Sequence, residues 1–190
     1  MSETVHGILK VFGERGSGQY GSECVSQLEH AIQCAMLAQE SDAGASLVVA
    51  ALLHDIGHIL DDADLPKSDE GNLNDSHEDK AYPWLLRTFG AAVADPVRLH
   101  VAAKRYLCTR DPSYATQLSP TSFKSYLDQG GPMSEDELQA FEREPYYQKA
   151  LQLRKWDDLA KFANKPLPDI SSFKELLESC IANVDKYSTS

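Results

Sequence analysis

At 190 residues, 42% hydrophobic and 25% charged, the chain is long enough to bury a real core and is expected to form one domain. Its formal charge of −11 at pH 7 argues against a nucleic-acid groove or an anionic membrane surface as the main partner, while leaving room for a small anion held by a few local cations. No apolar run reaches a membrane span and the first residues lack a signal-peptide layout. Cys24, Cys34, Cys108 and Cys180 are scattered with no C-x-x-C, which reads as reduced thiols in a cytoplasmic protein.

In chain order, Val5, Ile8, Leu9 and Phe12 predict a first helix over 3–12. The glycine-rich "GERGSGQYGS" is a connector, and Ser22 is the expected cap of a helix carrying Val25, Leu28, Ala31, Ile32, Ala35 and Met36. "AGASLVVAALLHDIGHIL" predicts an apolar helix over 45–60. The acidic "DDADLPKSDEGNLNDS" reads as a surface loop with Ser76 as a cap. Helices follow over 77–89 and 96–107, the second with Asp95 as N-cap and Pro96 in its first position. "SPTSFKSYLDQGG" is a short helix with a Ser-Pro start and a glycine stop, and Ser134 with Glu137 forms a capping box. A long helix is expected over 144–162 and a last one over 171–184. With no period-two alternation and no internal repeat, the fold class is all-α, a helical bundle.

"ALLHDIGHIL" places His54, Asp55 and His58 at the end of a helix that should be core. Ionisable groups go inside only when paired or bound to a metal. His54 and His58 are four apart, as are His100 and Lys104, while Arg154, Asp157 and Lys161 recur at spacings of three and four. Any one of these histidines is most simply a satisfied core or surface residue. As a set, imidazoles and carboxylates from several facing helices are how bundles build metal sites.

His30, "His54-Asp55" and Asp157 form the pattern H…HD…D, and with it the sequence resembles the HD-domain superfamily. His77 and His100 add the pair used by its two-metal members. "YGSECVSQLEH", "HVAAKRYL", "QGGPMS" and "LRKWDDLAK" resemble, more narrowly, the mixed-valent diiron oxygenases that cleave carbon–phosphorus bonds, relatives of myo-inositol oxygenase. The resemblance implies a single HD domain over 1–190 with its metal-binding core at about residues 20–163. It implies two iron ions, Fe(II)/Fe(III): one held by His30, His54, Asp55 and Asp157, the other by His77, His100 and the second oxygen of Asp55. Such donors with open positions suit iron, as they also suit manganese or zinc. Asp158, beside Asp157, is assigned to solvent or a supporting role, facing partly away from Arg154.

The resemblance further implies that His58, Lys104 and Arg154, with a hydroxyl from Ser122, contact the phosphonate of a small substrate. Tyr20 and Glu23 would form a lid, the tyrosine occupying an iron position until substrate arrives. Lys161 is left as an ordinary lysine. The partners are a small phosphonate and O2, and since the substrate supplies all four electrons, no 2-oxoglutarate, flavin or nicotinamide is required. The expected substrate is 1-hydroxy-2-(trimethylammonio)ethylphosphonate, giving phosphate and glycine betaine, or its unmethylated counterpart, giving glycine. Tyr20, Trp84 and Tyr106 are the aromatic candidates for holding a quaternary ammonium. The rival readings are a metal-dependent HD phosphohydrolase of a phosphate ester and a non-enzymatic bundle with structural or sensory metals.

Overall fold

The computed structural model describes residues 1–60 and 77–182, the side chains of 77–79 excepted. The loop expected before residue 77, its Ser76 cap and the end of the last predicted helix therefore lie outside the described residues. Among the described residues there is no strand, only an isolated bridge between Gln19 and Ser26, and the architecture is all-α as expected.

Helix α1 (Glu3–Arg15) is capped by Ser2, whose hydroxyl accepts from the Val5 amide, and it buries Val5, Ile8 and Phe12. Helix α2 (Gln27–Glu40) starts at Ser26, not Ser22. The Ser26 hydroxyl accepts from the Glu29 amide at 3.2 Å while the Glu29 carboxylate accepts from the Ser26 amide at 2.7 Å, a reciprocal capping box. Ser22 instead hydrogen-bonds Thr121 at 2.5 Å. Helix α3 (Ala45–Leu53) is buried on nearly every side, as a helix apolar all round must be, and packs against α2 and several later helices.

The expected helix over 45–60 ends early. Asp55 leaves helical geometry at φ −106°, ψ 13°, and Ile56–His58 forms a 3-10 turn closed by the His58 amide on Asp55 O at 3.0 Å. A 3-10 turn advances each residue further round the axis than an α-helix does. His54 and His58 are thus not stacked on one face: His54 is buried and His58 is exposed.

Helix α4 (His77–Phe89) has the predicted bounds. Helix α5 (Ala91–Arg110) starts at Gly90, whose φ of +79° a side chain would resist, so Asp95 is not a cap but accepts from the Tyr82 hydroxyl at 3.0 Å. Pro96 consequently sits inside the helix rather than opening it. The short α6 (Pro112–Ala115) carries no apolar periodicity and escapes sequence reading. Helix α7 (Pro120–Asp128) is capped by Ser119 and stopped before Gly130 and Gly131, both at positive φ. Helix α8 (Glu135–Glu142) has the predicted Ser134–Glu137 box. Helix α9 (Tyr147–Leu159) is shorter at both ends than 144–162, and α10 (Lys174–Cys180) follows a 3-10 turn at Ile170–Phe173.

The main core gathers α3, α2, α4, the start of α5 and α9, with α1 and α10 closing one side. A smaller cluster of Leu99, Ala103, Met133, Leu138, Phe141 and Ala150 holds α8 against α5 and α9. Burying a leucine such as Leu52 or Leu53 stabilises the fold by about 1.5–3 kcal/mol. That packing sets the ends of α2, α3, α5 and α9 around one point.

Candidate metal and anion site

Four helices deliver histidine and carboxylate to that point. His30 comes from the first turn of α2, directly after the capping box, and His54 from the end of α3. Asp55 comes from the turn that follows, His100 from mid-α5 and Asp157 from the last turn of α9. His30, His54, His100 and Asp157 are all buried.

The orientation of the rings is fixed from behind. His30 Nδ1 lies 2.9 Å from Ala160 O, His54 Nδ1 2.9 Å from Ala51 O, and His100 Nδ1 2.6 Å from Val97 O. A carbonyl only accepts, so each Nδ1 carries hydrogen and each Nε2 faces the centre. His30 Nε2 and His54 Nε2 are 3.2 Å apart, two lone pairs that need a proton or a cation between them. Asp157 Oδ1 is 3.3 Å from His30 Nε2, and Asp55 Oδ2 is 3.3 Å from His54 Nε2. Donors bound to one ion at roughly 2.1 Å stand about 3–3.5 Å apart, so this set fits a cation. The other oxygen of Asp55, Oδ1, turns to His100 Nε2 at 3.6 Å. One carboxylate therefore faces two donor groups, as a bridging ligand does. His77 opens α4, but its side chain lies outside the described residues.

The electrostatics agree. Burial opposes charge on His54, but Asp55 and Asp157 overcome it and raise its pKa to about 9. Burial also opposes charge on Asp157, but Arg154 and the imidazoles hold it well below the usual carboxylate range. Cys34, unremarked as a ligand in the sequence, has its sulfur 3.8 Å from His30 Nε2. Burial and then the two aspartates push its pKa up, keeping it a neutral thiol in the absence of a cation.

A cavity of about 400 Å³ opens beside these groups and is lined by the residues expected to form the lid and the phosphonate contacts: Tyr20, Glu23, His58, Lys104, Ser122 and Arg154. Tyr20 stacks on the His30 ring, centroids 3.8 Å apart, with its hydroxyl 3.3 Å from Asp157 Oδ1. Burial and then Asp157 raise its pKa, so it stays a phenol in the absence of a cation. Gly21, at φ +55°, makes the turn behind it, closed by the Glu23 amide on Tyr20 O.

Two expectations are corrected by the geometry. Arg154 is not a bare cation. Its Nη1 lies 2.7 Å from Asp157 Oδ2, and its Nε and Nη2 grip Asp158, which also accepts from the Tyr114 hydroxyl at 2.5 Å. Asp158 faces Arg154 rather than away from it, because a long arginine reaches both i+3 and i+4 on a helix. Of the aromatic candidates, Tyr20 alone lines the cavity. Trp84 packs on Phe89, and Tyr106 lies on Phe141 with its hydroxyl on Glu142.

Lys104 is a buried charge with no ion-pair partner among the described residues. It is 2% exposed, its ammonium donates to Ser125 Oγ at 2.6 Å, and no carboxylate among the described residues lies within ion-pair distance. Burial and then Arg154 lower its pKa to about 8. A buried ammonium beside a guanidinium, in a cavity, is a place for an anion.

Among the cavity residues that sequence reading missed, Gln129, Ser125 and Lys161 bear on its chemistry. Gln129 lines it with a buried Oε1 that has no hydrogen-bond partner among the described residues. Ser125 receives Lys104, and its spacing of three from Ser122 was the available signal. Lys161, taken as ordinary, donates to Glu23 Oε1 at 3.1 Å and Ser122 Oγ at 2.8 Å.

Residues 28–120 match the family described as HD domain. The chain is 42% identical over 183 residues to hydroxymethylphosphonate dioxygenase of Gimesia maris, covering 94% of this chain and 89% of that protein. It is 34% identical over 171 residues to [1-hydroxy-2-(trimethylamino)ethyl]phosphonate dioxygenase (glycine-betaine-forming) of Leisingera caerulea, covering 90% and 87%.

Proposed function

The chain belongs to the HD-domain family and, within it, to the phosphonate dioxygenases; from that premise we propose that it cleaves the C–P bond of a small 1-hydroxyphosphonate without a cationic substituent, hydroxymethylphosphonate being the simplest. The observation that carries this reading is Asp55, whose two oxygens face separate imidazole groups beside a cavity with a buried lysine that no carboxylate among the described residues pairs. The balanced reaction is HOCH2PO3(2−) + O2 → HCO2(−) + HPO4(2−) + H(+), with carbon as the electron donor.

His30, His54, Asp55 and Asp157 would hold one iron, and His77, His100 and Asp55 the other. Iron held there would supply the redox chemistry that O2 activation and oxidation of the substrate carbon require. The protein's part is placement. The backbone carbonyls of Ala51, Val97 and Ala160 keep the rings in the Nε2-facing tautomer. Lys104 holds the phosphonate, and Arg154, itself steadied by Asp158, adds donors at the cavity wall. Ser122 and Gln129 border the same space, and the exposed His58 stands at its mouth. Tyr20 covers Asp157 and limits water until substrate enters.

The trimethylammonium substrate suggested by resemblance is less well served. Among the described residues Tyr20 is the one tyrosine, tryptophan or phenylalanine lining the cavity, and Glu23, the carboxylate available to a cationic nitrogen, already faces Lys161. The small acidic chain with free cysteines among its described residues is read as a cytoplasmic enzyme with no nucleic-acid partner, and no helix of the described residues is long and apolar enough to cross a membrane.

Aerobic assay of iron-loaded protein with hydroxymethylphosphonate should consume O2 and release phosphate and formate in equal amounts, with about two irons bound per chain. Phosphate release from a phosphate ester without O2, or full activity with one zinc, would favour the hydrolase instead.

A further inference from the structure

Lys161 follows the end of α9, where a lysine would normally trail into solvent, yet its neighbours on both sides are clamped by buried side chains of α2. His30 Nδ1 donates to Ala160 O. Gln33, 1% exposed, donates to Phe162 O and accepts from Phe162 N, both at 3.0 Å. The backbone of residue 161 is therefore held at the cavity wall. Its ammonium is gathered by Glu23 Oε1 (3.1 Å), Ser122 Oγ (2.8 Å) and Ser119 Oγ (3.2 Å) and stands 6.0 Å from the Tyr20 ring centroid. Ser122 and Ser125 lie three residues, about 4.5 Å, apart along α7, so Lys161 and Lys104 present two ammonium groups to the same helix face. No carboxylate among the described residues pairs with Lys104, while Lys161 is matched to Glu23.

We propose that Lys161 is a specificity-determining positioning residue: it occupies Glu23 as an internal cation and thereby denies that carboxylate to an ammonium-bearing substrate. The inference rests on the phosphonate reading above and deepens it. With Lys161 in place, a substrate amine meets an already neutralised acid and a neighbouring positive charge. Without it, Glu23 keeps the Ser119 hydroxyl as donor but becomes a carboxylate with no cation on the cavity wall, one that selects for a cationic ligand.

The test uses iron-loaded protein held without oxygen and two isosteric phosphonates lacking the reactive hydroxyl, n-propylphosphonate and 2-aminoethylphosphonate, with binding measured by calorimetry. The native protein should prefer the propyl compound. Lys161→Met and Lys161→Gln should each shift the ratio of dissociation constants toward the amine by at least about tenfold, and Lys161→Arg should keep the native preference. Adding Glu23→Gln to Lys161→Met should abolish the shift, the coupling a double-mutant cycle isolates. An unchanged ratio, equal weakening of both ligands or a shift that survives loss of Glu23 would each overturn the proposal. Turnover of hydroxymethylphosphonate by the native enzyme is read in parallel. If it occurs while the ratio stays fixed, this inference alone fails; if it does not occur, the proposed function fails and takes this inference with it.

Discussion

Lys104 and His54 show how residue-level burial becomes chemistry. A phosphonate in the cavity needs the Lys104 ammonium, whose pKa burial lowers to about 8. The free enzyme therefore loses its anion-binding charge as pH rises, and kcat/KM should fall with a midpoint at or below about 8, since bound cations push the same way. Lys104→Arg should move that falling limb out of range. Lys104→Ala should lower kcat/KM by on the order of 10²- to 10³-fold at pH 7 with iron content unchanged. A pH profile identical in the arginine variant would assign the limb to another group. The residue type at position 104 is plain in the sequence. Its isolation is not, because it depends on Asp157 and Asp158 both turning to Arg154.

At the scale of elements, α2 carries more of the site than its one donor, His30, suggests. Its capping box orders the turn that aims His30, and Gln33 one turn later pins the exit of α9. Ser26→Ala removes the hydroxyl that accepts the Glu29 amide and should cost about 0.5–2 kcal/mol in urea unfolding, together with weaker metal retention. Ser22→Ala, at the position first expected to cap, should leave unfolding within about 0.5 kcal/mol of the native value. A larger loss from Ser22 than from Ser26 would reverse the assignment. The S-x-x-E spacing of Ser26 and Glu29 was present in the sequence and distinguishes the two serines. The early end of α3 was not, since "LHDIGH" has helical spacing and its 3-10 turn is imposed by the placement of Asp55 between two imidazole groups.

For the whole molecule, metal-free stability should depend on pH in a way the bound metal removes. His54 has a folded pKa of about 9, above its ordinary 6.5, so its contribution is complete below pH 6.5 and lost as pH rises through 9. Lys104 has the opposite sign: its burial penalty is complete below about pH 8 and is relieved as pH climbs to 10.5. From these two groups the metal-free protein should lose stability from pH 6.5 to 8 and level off between about 8 and 9, as read by urea midpoints. His54→Gln should abolish the fall. Metal must displace the His54 proton, so titration of metal at pH 7 should release protons and gain affinity as pH rises. Stability that climbs steadily across pH 6.5–8 without metal would contradict the charge arrangement around His54.

The helical fold and the starts of α7 and α8 follow from local pattern, apolar spacing with Ser-Pro and Ser-x-x-Glu starts, while the donor set of His30, His54, Asp55, His100 and Asp157 was implied by the family resemblance of its motifs. Such spacings and starts act over a turn or two of helix and so are visible in one dimension. Tertiary structure alone decided which nitrogen of each histidine faces the centre, that Asp158 shares Arg154 with Asp157, and that Lys161 belongs to the cavity. These rest on contacts such as His30 with Ala160 and Gln33 with Phe162, about 130 residues apart, and on a helix ending where packing rather than propensity stops it. Spacing places a side chain on its own helix; only the packing of one helix against another says what it meets there.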